Sequence, residues 1–127
     1  IELGKRLFTS ESVFTEAGKP ANLEIAVGIT THNQRGTGTL NQAGGWMSVW
    51  EDFGKTGAFG TGVVIDPQRV TGMQEIRTDV RDESHVILTC RTDAEGRTVH
   101  YAGYGWTKAG VVTQQQWHEY IGKYLSK

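Results

Sequence analysis

Apolar and polar residues alternate with period two in several short stretches, which is the pattern of half-buried strands. The stretches are Ile1 to Phe8, Glu11 to Thr15, Leu23 to Ile29, Trp46 to Trp50, Gly62 to Ile65, His85 to Thr92 and Thr98 to Trp106. In the third of them Leu23, Ile25, Val27 and Ile29 alternate with Glu24, Ala26 and Gly28. One face is therefore fit for burial while the other is small or polar, as antiparallel sheets allow. Asp93-Ala94-Glu95-Gly96 separates the last two stretches and predicts a hairpin, with Gly96 supplying a positive φ. That pairing would set His85 opposite Tyr104 and keep it away from His100.

The pattern changes period at the C-terminus. Trp117, Tyr120, Ile121, Tyr124 and Leu125 fall at i, i+3, i+4, i+7 and i+8, one stripe of a helix. Thr113 with Gln116 three residues later makes a capping box, so the helix is expected over 113–126. Residues 31–45, Thr-His-Asn-Gln-Arg-Gly-Thr-Gly-Thr-Leu-Asn-Gln-Ala-Gly-Gly, lack periodicity and predict a long Gly-rich loop. The fold class that follows is mostly β, an antiparallel sandwich closed by one C-terminal α-helix, in a single domain over 1–127.

Composition narrows the function. At 127 residues with 37% hydrophobic content there is core for one domain, and a net charge of −1 leaves no footprint for nucleic acid or anionic lipid. No apolar run has the length of a membrane span. Seventeen Gly sit between apolar runs without a triplet period, which suits turn-rich strands. Single Cys90 forms neither an internal disulfide nor a thiolate zinc site by itself. His32, His85, His100 and His118 show no metal-binding spacing, and no dinucleotide, phosphate or nucleophile-elbow motif is present, so neither metal nor cofactor is expected. Starting at Ile1 without Met or a leader-like segment, the chain is expected to have an N-terminus made by processing.

What stands above background is aromatic density beside glycine: Gly44-Gly45-Trp46-Met47-Ser48-Val49-Trp50-Glu51 and Tyr101-Ala102-Gly103-Tyr104-Gly105-Trp106. Trp46 and Trp50 share one strand face, as do Tyr104 and Trp106. Such faces either fill a core or stack on the C–H-rich faces of sugar rings, and Trp46, Trp50, Tyr101, Tyr104 and Trp106 are the candidate binding residues. His32, in a polar loop with Arg35, is the candidate proton-transfer group. Glu51, beside Trp50 at a strand end, is the candidate acid or base, and Arg35 a candidate to neutralise an anionic sugar.

The order of these motifs carries a family resemblance. Leu23 to Ile29, Gly45 to Glu51, Gly60-Thr61-Gly62-Val63-Val64-Ile65-Asp66-Pro67, Tyr101 to Trp106 and the closing helix with Trp117 together resemble the C-terminal portion of the domain-of-unknown-function 4861 family. The resemblance implies a secreted or periplasmic bacterial protein encoded among polysaccharide-utilisation genes, with a galactose-mutarotase-like supersandwich, here partial. It implies action on plant or algal polysaccharide, by lyase or hydrolase cleavage of glycosidic bonds. Two other roles fit the same residues: a non-catalytic sugar-binding module, and a half-sandwich covered by a partner. The expected partner is a poly- or oligosaccharide, and the missing upstream part of the pattern implies a homodimer or pairing with an N-terminal segment. No established catalytic residues come with the resemblance.

Overall fold

The computed structural model describes residues 2–32 and 35–126. Ile1 of the first expected strand and Asn33-Gln34 of the expected loop lie outside the described residues. Among the described residues ten strands and one α-helix follow in order, with three short 3-10 turns between strands or before the helix: β1 (Leu7–Val13), β2 (Thr15–Glu16), β3 (Lys19–Pro20), β4 (Glu24–Thr31), β5 (Thr37–Asn41), β6 (Trp46–Asp52), β7 (Ala58–Val64), β8 (Val70–Ile76), β9 (Ser84–Arg91), β10 (Arg97–Trp106) and α1 (Gln114–Gly122). All pairings are antiparallel. A five-stranded sheet runs β1-β10-β7-β6-β5, a three-stranded sheet β4-β9-β8, and β2-β3 form a small ribbon. The architecture is the mostly β, sandwich-like one that the alternation predicts.

The five-stranded sheet is buried on both faces at its centre. In β6 the residues Trp46, Met47, Ser48 and Val49 are all buried, a run that only a strand between two layers shows. Met47, Val49, Val63 and Ile65 meet Val86, Leu88 and Cys90 of the three-stranded sheet, with Ile25, Val27, Ile29, Val70 and Met73 around them. On the opposite face Trp46 and Val64 meet Trp117 and Ile121 of α1, together with Leu7 and Val111. Thr113 caps α1 by the reciprocal pattern its spacing predicts, accepting from the Gln116 amide at 3.1 Å while the Gln116 side chain accepts from the Thr113 amide.

Three expectations need correction. Residues 31–45 are not loop throughout, because Thr37–Asn41 form the edge strand β5 against β6. Its Gly38 leaves the space that Glu75 and Val86 occupy, since a Cβ there would stand 2.7 Å from each. Of the first expected strand only Leu7 and Phe8 are extended, residues 2–6 being turn or irregular, and they run on into the second as β1, while β8 lies where no alternation was evident.

The third correction is topological. Asp93 to Gly96 do form the tight turn: Gly96 has φ +74°, and the Asp93 carboxylate accepts from the Glu95 and Arg97 amides at 3.0 and 2.8 Å. The flanking strands then part into different sheets, β9 joining β4 and β8, and β10 joining β1 and β7. Thr92, 2% exposed, steers the departure, since its hydroxyl accepts from Leu23 N and donates to Ala21 O, both at 2.8 Å. The apolar sides of β9 and β10 thus face each other across the core, with Cys90 Sγ 3.7 Å from Thr98 Oγ1. His85 accordingly pairs with Thr30 and Ile76, and His100 with Ser10.

Candidate functional site

The three-stranded sheet packs over β5, β6 and β7 and reaches only as far as Ala102 of β10. Beyond it the same face of β10 and β1 is uncovered, and aromatic side chains stand on it. Glu51, Phe59 and Trp106 are register partners across β6, β7 and β10. They point away from α1, because the alternate residues Gly60 and Gly105 lie under Trp117. Phe59 and Trp106 stack with centroids 5.6 Å apart and planes 4° apart, and Phe53 meets Phe59 edge-on at 5.6 Å. Trp106 Nε1 donates to Thr56 O at 2.9 Å, which fixes the indole. One residue pair along, Tyr104 is 60% exposed on the same face, and Phe8 of β1 is 44% exposed.

At the β6 end of this row is a closed polar junction. Glu51 is 6% exposed, and its Oε1 accepts from the His32 amide at 2.8 Å. Gly36 lies against it so closely that a Cβ there would stand 2.7 Å from Glu51 Cγ. Arg77 closes the outer side, donating to Glu75 at 2.7 Å and to the Gly36 carbonyl. The Trp50 ring, expected beside the Glu51 carboxyl, is on the opposite face among the side chains that pack on α1. Glu51 therefore anchors the loop after β4 through a backbone amide. The imidazole of His32 is exposed instead, with Nδ1 3.5 Å from Asp82 Oδ1. Arg35 is exposed, just past the undescribed pair 33–34.

The structure thus divides the sequence candidates between two faces. Tyr104 and Trp106 belong to the uncovered side, with the exposed His32 imidazole and the buried Glu51 at the closed junction that ends the row. Trp46, Trp50 and Tyr101 belong to the helix side, where Trp46 packs on His118 at 5.0 Å and Tyr101 on Tyr124 at 5.1 Å. Phe8, Phe53 and Phe59 were not singled out by the sequence. Extending the alternation of β7 back to Ala58 would have placed Phe59 on the Val63 face, but its pairing with Trp106 is a matter of long-range register. Burial lowers the pKa of His100 and of His118 below the usual imidazole value, and neither His100 Nδ1 nor His118 Nε2 has a hydrogen-bond partner among the described residues. Among the described residues no helix is long and apolar enough to cross a membrane.

The fold and this face define a small antiparallel β-sandwich with one helix packed on its larger sheet. The chain belongs to the family described as a domain of unknown function (DUF4861), which matches residues 1–127. It is also similar to the "Uncharacterized protein P7" of Formosa agariphila, 29% identical over 105 residues, which are 82% of this chain and 26% of that protein. The chain therefore spans about a quarter of the curated relative it matches. No solved structure matches it.

Proposed function

We propose that this domain is a carbohydrate-active module that binds poly- or oligosaccharide on the uncovered face of β10 and β1, in a secreted or periplasmic protein acting on plant or algal polysaccharide. The observation that carries the reading is the Phe59–Trp106 stack with Tyr104 left exposed beside it. Flat aromatic rings held rigid at a surface match the C–H faces of sugar rings and lose little entropy on binding. Trp106 is held by its Nε1 bond and by Phe59, so the platform exists before a ligand arrives.

Glycosidic-bond cleavage is the second reading. Its support is the meeting of His32, Asp82 and Glu51 at the end of the same row, with the His32 imidazole exposed and facing a carboxylate. The burial of Glu51 under Gly36 and its bond to the His32 amide favour a structural role over catalysis for this residue.

The test is a panel of plant and algal oligosaccharides titrated into the labelled protein and followed by NMR. Binding that shifts the Tyr104 and Trp106 resonances, and that weakens about tenfold in Tyr104→Ala at unchanged thermal stability, is the expected result. A panel without any binder overturns it. New reducing ends or ultraviolet-absorbing unsaturated products would move the assignment to the cleavage reading.

A further inference from the structure

A groove of about 350 Å³ lies along the β1/β10 edge beside the aromatic platform, lined by Lys5, Arg6, Phe8, Tyr104, Trp106 and Ala109 among others. Phe59 covers one face of the Trp106 indole, and Trp106 also forms part of this groove, which runs toward β1. Three other grooves on the described surface each include a carboxylate: Asp66 in one, Glu2 in the second, Asp66 and Asp93 in the third. The groove beside Trp106 has two cations and no carboxylate among its lining residues. A third cation, Lys108, is not among the lining residues but lies over the Trp106 ring, its Nζ 5.8 Å from the centroid. Arg6 is held in place by one Nη bonded to Ala109 O at 2.7 Å, and Lys5 pairs with Glu2 at the outer end.

On a chain whose net charge is −1, this local excess of positive charge beside stacking rings is selective. We propose that the groove takes an anionic saccharide, in which a sugar ring packs on Trp106 and Tyr104 while its carboxylate or sulfate group meets Arg6, Lys5 and Lys108. The inference rests on the carbohydrate-binding reading and adds the ligand's charge to it. A neutral sugar would use the rings alone. An acidic one adds charge-assisted hydrogen bonds, for which the Arg6 guanidinium offers planar geometry and the two Lys offer point charges. The Lys5–Glu2 pair is exposed, so a ligand anion competes with Glu2 at little cost.

The experiment compares three oligosaccharides of equal length: a neutral galactan, an oligogalacturonate and a sulfated galactan. Each is titrated calorimetrically at low and high sodium chloride into the wild type and into Lys5→Gln/Lys108→Gln, both exposed positions whose replacement leaves the fold intact. The expected result is about tenfold tighter binding of at least one acidic probe than of the neutral one at low salt. That advantage shrinks at high salt and in the double variant, while neutral binding stays unchanged by salt. Comparison of the two acidic probes separates carboxylate from sulfate recognition. Equal affinity for all three probes overturns this inference and leaves the carbohydrate-binding reading standing. Absence of binding by all three, together with an empty wider panel, overturns both.

Discussion

Gly60 of β7 lies directly beneath the Trp117 indole, where a Cβ would stand 2.3 Å from Trp117 Cδ1. Gly62 and Gly105 flank it, with Cβ positions 3.0 and 2.9 Å from the same ring, so three glycines from two strands form the socket that seats α1. Trp117 is fully buried, and its Nε1 donates to Thr61 O at 3.2 Å across the socket. Gly60→Ala drives a methyl into this ring and is expected to cost about 3 kcal/mol, because neither the backbone beneath nor the bonded indole above yields easily. At this size the loss lowers Tm by on the order of 10 °C. Gly28→Ala is the control: its Cβ meets Val86 O at 3.6 Å, an ordinary contact, and stability should stay within about 0.5 kcal/mol. Thermal denaturation of the two variants checks the socket. Equal Tm values would mean that α1 does not seat as described.

The two faces of the large sheet should separate in an alanine scan. Trp46 is 9% exposed among α1 contacts, so Trp46→Ala leaves a cavity and is expected to cost about 3 to 5 kcal/mol. Tyr104, at 60% exposure, should change stability by less than about 0.5 kcal/mol when replaced by Ala. Urea unfolding measures both. A large loss for Tyr104→Ala would place its ring in the core and remove it from any ligand platform.

How far the sequence carries is visible in these same residues. Alternation alone correctly pairs Trp46 with Trp50 and Tyr104 with Trp106 on common strand faces, since that is a local property of extended chain. It does not say which face a helix will cover, because that depends on Gly60, Gly62 and Gly105 aligning across β7 and β10 in the right register. The turn at Asp93 to Gly96 was legible for the same local reason, and the destination of its strands was not. Thr92 bonds to Ala21 and Leu23, some seventy residues away in sequence, and nothing in the local pattern announces it. β5 was hidden because Gly36 and Gly38 are small to admit Glu51, Glu75 and Val86 from neighbouring strands. In isolation such a segment resembles a loop. Glu51 showed itself as an unusual carboxylate, while its actual partner, a backbone amide, carries no sequence signature at all.

That amide bond makes its own prediction. Glu51→Ala leaves the part-buried His32 N–H without its acceptor and should cost about 1 to 2 kcal/mol, whereas Glu51→Gln keeps an oxygen acceptor and should cost under about 1 kcal/mol. Hydrogen exchange at the His32 amide is the direct readout. It should accelerate strongly in Glu51→Ala and only slightly in Glu51→Gln. Unchanged exchange in both would show that the loop after β4 is held by other contacts.

Acid should weaken the fold through the helix-side histidine. Burial holds the pKa of His118 below that of an unfolded chain, and its Nε2 is enclosed next to the Trp46 ring without a hydrogen-bond partner among the described residues. Between the lowered folded pKa and the unfolded value of about 6.5 the unfolded chain binds more protons, so stability falls as pH drops through that window. Below the folded pKa both states are protonated and the penalty stays constant. His100 acts in the same direction, since burial lowers its pKa as well. Asp93 adds to the loss at lower pH, because the Arg97 and Glu95 amides hold its carboxyl below the usual range and that stabilisation disappears on protonation. His118→Gln isolates the first contribution. It should flatten the decline in Tm between about pH 7 and pH 5.5, leaving the share from His100. A wild-type Tm that is flat across this range, or a decline unchanged by His118→Gln, would show that the ring escapes to solvent on protonation without loosening α1.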